Sequence, residues 1–164
     1  SMLGKTTSPY YASYCASKHG VVALGAALRQ EVRADGVRGI HVCTILPMAA
    51  DTTFFDHAAN YTGHTLQPYP IADADTVVGA IVDAIASPRD EMIVGLSARA
   101  ALLAQQAAPS LTESITGVVT HQLQIEDAPA AAPTHGNLHV PVELGTGVGG
   151  GVRARMAAEQ RVRH

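Results

Sequence analysis

"YCASK", Tyr14–Lys18, sets a phenol and an ammonium four residues apart near the front of a 164-residue chain. On a helix that spacing puts both side chains on one face. A free phenol titrates at about 10, too high for proton transfer at neutral pH, and a neighbouring ammonium favours its ionised form. Groups tuned in this way serve as general acids and bases. Tyr10 and Tyr11 have no lysine at the same offset. With five Tyr and two Lys, random placement gives such a pair in about one of sixteen sequences of this composition. A packed tyrosine beside a solvated lysine is therefore the competing reading, and the context decides.

Outward from the pair, Val21, Leu24, Leu28 and Val32 recur at steps of three and four, which predicts a helix over about 14–34 with an apolar stripe. Asp35-Gly36 supplies its stop. "IHVCTIL", Ile40–Leu46, is short, β-branched and apolar, and predicts a strand covered on both faces. The polar and aromatic stretch from Pro47 to Pro70 is too long for a simple connection and predicts a functional loop or lid. A helix capped by Asp73 or Asp75 then runs to Ala86, with Val77, Ile81 and Ile85 on its inner side. "EMIVGL", Glu91–Leu96, reads as a second buried strand, followed by helices over 98–108 and 111–119 that part at Pro109. From Glu126 onward Pro, Gly and Ala predominate, which predicts an extended or flexible tail.

Strands alternating with helices point to an α/β fold with a parallel sheet. Two strands do not complete such a sheet. The expectation is a partial doubly wound, Rossmann-like sheet that lacks its N-terminal strands, so that the chain is the C-terminal portion of a longer protein. The strand near Ile40–Leu46 is then expected to show an unpaired edge. In succession the segments are a catalytic-domain part (1–108), a helical extension (109–125) and a Gly/Pro-rich tail (126–164).

Hydrophobic residues make up 47% and charged residues 15% of the chain, which marks a globular protein. The net charge of −3 and the scattered basic residues exclude a phosphate-backbone footprint, so no nucleic-acid partner is expected. Arg153, Arg155, Arg161 and Arg163, interrupted by Glu159, read as a solvated basic terminus. The longest apolar runs, such as "AALLA" at Ala100–Ala104, fall short of the roughly 18 residues of a membrane span. Cys15 and Cys43 make no disulfide framework and fit a reducing, cytoplasmic setting, with Cys15 a packing residue.

No Cys-x-x-Cys occurs, and Gly136-Asn137 argues against a helix that would turn His135 and His139 to one metal, so no metal site is expected. His57 and His64 lie in the lid, where solvent exposure or a substrate contact is the choice. Gly145-x-Gly147-x-x-Gly150 sits between a strand-like and a helix-like run, the local context of a dinucleotide fingerprint. Only fourteen residues follow Gly150, and Pro141 breaks the run before it, so a flexible Gly-rich tail is the better reading.

The wider register around Tyr14 resembles the short-chain dehydrogenase/reductase family. Ala16 and Ser17 complete the family's Tyr-x-Ala-Ser-Lys form. Ser1 stands thirteen residues before Tyr14, with Gly4 at the third and Pro9 at the eighth position after it, all in the family's register. Pro47 follows the predicted strand and Thr52 stands five residues later, as in the family, although Met48 replaces the usual Gly. These registers span residues 1 to about 52; the course up to Ala108 matches more loosely, and the tail after Glu126 lies outside the common core.

The resemblance implies hydride transfer between NAD or NADP and a carbonyl or alcohol substrate. It implies Tyr14 as proton donor or acceptor, Ser1 as a hydrogen bond to the substrate oxygen, and Lys18 as the group that favours the phenolate and holds the nicotinamide ribose. Pro47, Ala50 and Thr52 fall at its nicotinamide-facing positions, and Phe54, Phe55 and Tyr61 at its substrate lid. It further implies a homo-oligomer, and a Gly-rich phosphate grip located before Ser1. The alternative function is a non-catalytic fragment or assembly module. Substrate identity and the choice between NAD and NADP are not carried by these residues.

Overall fold

The computed structural model describes residues 1–162; Arg163 of the basic terminus lies outside them. In chain order come a 3-10 turn at Met2–Gly4, helix α1 (Ala12–Ala34), and strands β1 (Thr44–Pro47) and β2 (Ala49–Ala50). Helix α2 (Phe54–His57), strand β3 (Ile71–Ala72), helix α3 (Ala74–Ala86) and strand β4 (Glu91–Val94) follow. Helices α4 (Leu96–Ala107), α5 (Pro109–His121) and α6 (Val152–Val162) complete the set. The fold is mixed α/β with parallel strand pairs, as a partial Rossmann-like sheet requires.

The chain forms two compact units, each built from separate stretches, whereas the sequence reads as segments in succession. The first comprises Ser1–Met48 and Asp75–Gly117; the second comprises Ala49–Ala74 and the chain from Val118 onward.

In the first unit β1 and β4 pair in parallel, Thr44 opposite Glu91 and Leu46 opposite Ile93. Among the described residues β1 has no second neighbour, so the expected unpaired edge is present. The core gathers Met2, Leu46 and Ala98, with Val22, Met48, Ile93 and Leu102 packed against them. Leu46 is the one large side chain fully buried among the described residues.

α1 ends as the sequence predicts. Gly36 adopts a left-handed φ of 66°, its N–H reaches Arg33 O at 3.2 Å, and the Val37 N–H reaches Val32 O at 3.1 Å. Those two bonds are a Schellman closure, which satisfies the last free carbonyls.

β1 is shorter than the predicted Ile40–Leu46. The Arg29 guanidinium donates to Val42 O, Thr44 Oγ1 and Asp90 O at 3.3, 3.2 and 3.0 Å, so a side chain takes up backbone that a longer ladder would use. β4 likewise stops at Val94, because Gly95 turns to a φ of 94° and opens α4.

The predicted apolar stripe of α1 is not the face that packs, and the predicted inner side of α3 needs correction. Val21, Leu24 and Leu28 of α1 are 55%, 59% and 39% exposed. α1 instead packs through small residues: a Cβ on Gly25 would meet Thr44 Oγ1 at 2.6 Å, and Cys15, nearer the start of the helix, is also buried. The absence of side-chain bulk lets the helix axis approach the strand, which outweighs the pull of the apolar stripe. On α3, Ile81 and Ile85 are exposed, and Ala84 is its buried residue.

The second unit holds the other parallel pair, β2 with β3, Ala49 opposite Ile71. The stretch after Glu126, expected to be loose, carries α6 and three isolated bridges: Thr52 with Gly149, Asn60 with Thr134, and His64 with Ala130.

Candidate functional site

Ser1, Tyr14, Lys18 and Pro47 belong to the first unit; Ala50, Thr52, Phe54, Phe55 and Tyr61 belong to the second.

Tyr14 and Lys18 lie in the first two turns of α1, both half-buried, with the Lys18 ammonium 5.2 Å from the centroid of the Tyr14 ring. The four-residue spacing therefore brings them together as the sequence predicts. Ser17 Oγ donates to Tyr14 O at 2.7 Å, which draws the hydroxyl onto the helix backbone. Ser1 caps the Met2–Gly4 turn, its Oγ accepting the Leu3 N–H at 3.2 Å. A capping hydroxyl used as acceptor keeps its own proton free to donate.

Gly4 explains how Ser1 and the helix come together. A Cβ there would lie 2.8 Å from both Lys18 O and Val22 Cγ2, so only glycine lets the turn lie on α1 at the level of the lysine. Tyr10, just ahead of the helix, takes a φ of 69°, a left-handed conformation that bulky residues rarely adopt. Strained backbone of that kind clusters at functional sites.

Tyr11 is a residue the sequence reading passed over. It caps α1, and its hydroxyl is pushed above its ordinary value by burial first and by Tyr14 second. A second phenol thus stands within the electrostatic reach of Tyr14. The three-residue spacing to Tyr14 was the available signal in the sequence.

In the second unit Thr52 accepts the Phe54 N–H at 3.4 Å and donates to Ala50 O at 3.5 Å, both long bonds that yield readily. Phe54 and Phe55 meet edge-on at 5.4 Å between ring centroids. The lid stretch is pinned along its length. Asn60 exchanges both backbone bonds with Thr134 at 2.8 Å, and its buried side chain holds His64 O at 2.7 Å. The Tyr61 hydroxyl bonds His135 Nδ1 at 2.9 Å. His57 and His64 are tethers: their rings donate to Leu144 O at 2.8 Å and Ala128 O at 3.1 Å. Because a carbonyl only accepts, His57 carries a proton on Nε2 and His64 on Nδ1. Among the described residues no group of three His, Cys, Asp or Glu is placed to hold a metal.

A dinucleotide fits these residues on the nicotinamide side and not on the phosphate side. In the first unit the Lys18 ammonium and the Ser1 hydroxyl are polar groups of the right kind for a ribose and a substrate oxygen; in the second, the weakly engaged Thr52 hydroxyl is of the right kind for a carboxamide. The Gly145–Gly150 run does not fit a pyrophosphate. α6 begins just after it, but its first amides are taken by Asp51, whose carboxylate accepts from Val152 N at 2.8 Å and Arg153 N at 3.3 Å. An anion already sits where a phosphate would bind. Asp51 had no signal in the sequence, since its helix lies a hundred residues away.

The family model described as short chain dehydrogenase matches residues 1–61. Estradiol 17-beta-dehydrogenase 11 of Rattus norvegicus is 30% identical over 73 residues, which is 44% of this chain and 24% of that protein. The chain therefore spans about a quarter of the length of this relative. No solved structure matches. The matched segment contains Ser1, Gly4, Tyr14 and Lys18 in the geometry just described, so residues 1–61 are similar to the short-chain dehydrogenases.

Proposed function

We propose that this chain is the catalytic portion of an NAD(P)-dependent oxidoreductase that interconverts a carbonyl and an alcohol, with the phosphate half of the dinucleotide held by residues outside these 164. The observation that carries the reading is the Lys18 ammonium over the Tyr14 ring at 5.2 Å, on the helix that Ser1 and Gly4 lie against. Nicotinamide, when bound, supplies or accepts the hydride.

In the reducing direction, negative charge grows on the substrate oxygen as the carbonyl π pair moves onto it. Ser1 donates a hydrogen bond to that oxygen, and Tyr14 delivers the proton. Lys18 stabilises the phenolate left behind until solvent returns the proton. In the oxidising direction the phenolate takes the alcohol proton. Pro47, Ala50 and Thr52 orient the cofactor, and Phe54, Phe55 and Tyr61 give apolar cover to the substrate. Two unpaired thiols, Cys15 and Cys43, accord with a cytoplasmic setting.

Tyr14→Phe in the gene-length protein tests the reading. Turnover of NADH or NADPH against a panel of ketones should fall by at least about a hundredfold, the scale of lost acid–base catalysis. Cofactor affinity should change less than about threefold, since the ring and the lysine remain. Undiminished turnover removes Tyr14 from the proton-transfer role.

The exposed stripe of Val21, Leu24 and Leu28 favours a second reading, in which α1 serves homo-oligomer assembly with or without chemistry. Leu24→Lys separates the two. A dimer or tetramer that dissociates in sedimentation while activity is also lost means that assembly supports the site. Assembly present with no turnover in the native protein leaves the assembly module alone standing.

A further inference from the structure

The glycine-rich stretch before α6 was set aside as a fingerprint, yet it is tightly placed. Its chain runs antiparallel to the Thr52 segment, with Thr52 bridged to Gly149. Gly150 lies so close that a Cβ would come 2.1 Å from Thr52 O and 2.5 Å from Thr52 C. Thr53 Oγ1 donates to Gly147 O at 3.2 Å, and the His57 ring holds Leu144 O at 2.8 Å. The far end is locked by Asp51 on the first amides of α6 and by Arg153, whose guanidinium meets Asp73 at 2.9 Å and Ile71 O at 3.2 Å.

Resting on the proposed function, we propose that residues 144–152 form an autoinhibitory strap laid over Thr52, and that the strap and the nicotinamide end of the dinucleotide exclude one another. Thr52 faces two claims at once. Its carbonyl touches the Gly150 backbone with no room for a methyl group, so a planar carboxamide cannot enter on that side while the strap is seated. The fastenings are few and mostly hydrogen bonds, each of modest net worth. The five glycines at 145, 147, 149, 150 and 151 lose more conformational entropy on seating than any other residues would. Glycine is thus required for the close approach and also weakens the hold, which suits a segment that leaves when a ligand competes. Thr52, Ala50 and Phe54 bond among themselves, and those bonds do not involve the strap.

Gly150→Val tests the strap without replacing a residue of the seat: the added side chain would collide with Thr52 O while the strap is down, and the residue's φ is not in the left-handed region. Thr53→Val, which removes only the bond to Gly147 O, is the milder companion should the first variant fold poorly. The protein measured is the gene-length chain, with NADH and NADPH as probes and two readouts: the dissociation constant, and amide exchange at Val152. Both variants should bind the dinucleotide more tightly, Thr53→Val by up to about fivefold, the ratio that one ordinary hydrogen bond supports, and Gly150→Val by more. In the native protein, saturating dinucleotide should speed exchange at Val152 as the strap lifts. Equal affinities in all three proteins, or Val152 protection unmoved by bound dinucleotide, overturn the strap while leaving the cofactor site in place. If none of the three binds either dinucleotide, the cofactor reading itself falls and the strap falls with it.

Discussion

Tyr14, three residues on, changes how readily Tyr11 gives up its proton. Tyr11 is raised above its ordinary value chiefly by burial and then by the neighbouring Tyr14. Its folded-state pKa therefore exceeds its unfolded value of about 10, and the folded state holds that proton more tightly. The associated stability is complete below pH of about 10 and is lost as pH climbs through the raised value. Tyr11→Phe should flatten this alkaline loss: the urea midpoint of the variant should fall less between pH 9 and 11 than that of the native chain. Parallel falls in both would show that Tyr11 does not titrate in that window. At Ser1 the division of labour is similar, because one hydroxyl caps a turn as acceptor while its proton stays available.

The elements are positioned more by small residues than by large ones. α1 meets β1 at Gly25 and the opening turn at Gly4, and at both places a methyl group would penetrate a neighbour. Gly25→Val should therefore force helix and strand apart, at about 1–3 kcal/mol, the usual cost of overpacking. It would also crowd the Arg29 fan that joins Thr44 and Asp90. Chemical denaturation reads the change; a midpoint equal to the native one would mean that Thr44 rotates away without cost. The helices were legible from periodicity and stop signals, and α1 began and ended within two residues of the reading. The packed face was not. Periodicity identifies the stripe that gains from leaving water, whereas the face that packs depends on how closely two backbones can approach.

For the whole molecule the balance of burial is unusual. Leu46 alone among the large side chains of the described residues is fully buried, while Leu24, Val82, Ile85, Leu103 and Leu111 are all more than half exposed. Apolar surface of this kind associates or binds other apolar matter. The 164-residue chain by itself should bind an apolar dye such as ANS and sediment as a concentration-dependent mixture; a dye-silent monomer at every concentration would contradict this. Among the described residues no helix is long and apolar enough to cross a membrane.

What the sequence determined by itself is local: the tyrosine–lysine pair on one helix face, the α1 stop at Gly36, the parallel strands and the spacing from Ser1 to Thr52 that resembles the short-chain dehydrogenases. Each follows from spacing along a backbone whose helical and extended repeats are invariant. What only the tertiary structure decided are pairings between distant residues. Asp51 on the amides of α6, Gly150 against the Thr52 carbonyl, Gly25 against Thr44 and Arg29 across β1 and β4 all depend on which segments meet in space. A single sequence carries no distance between such residues, so short-range periodicity names the elements, and long-range packing alone assigns their partners.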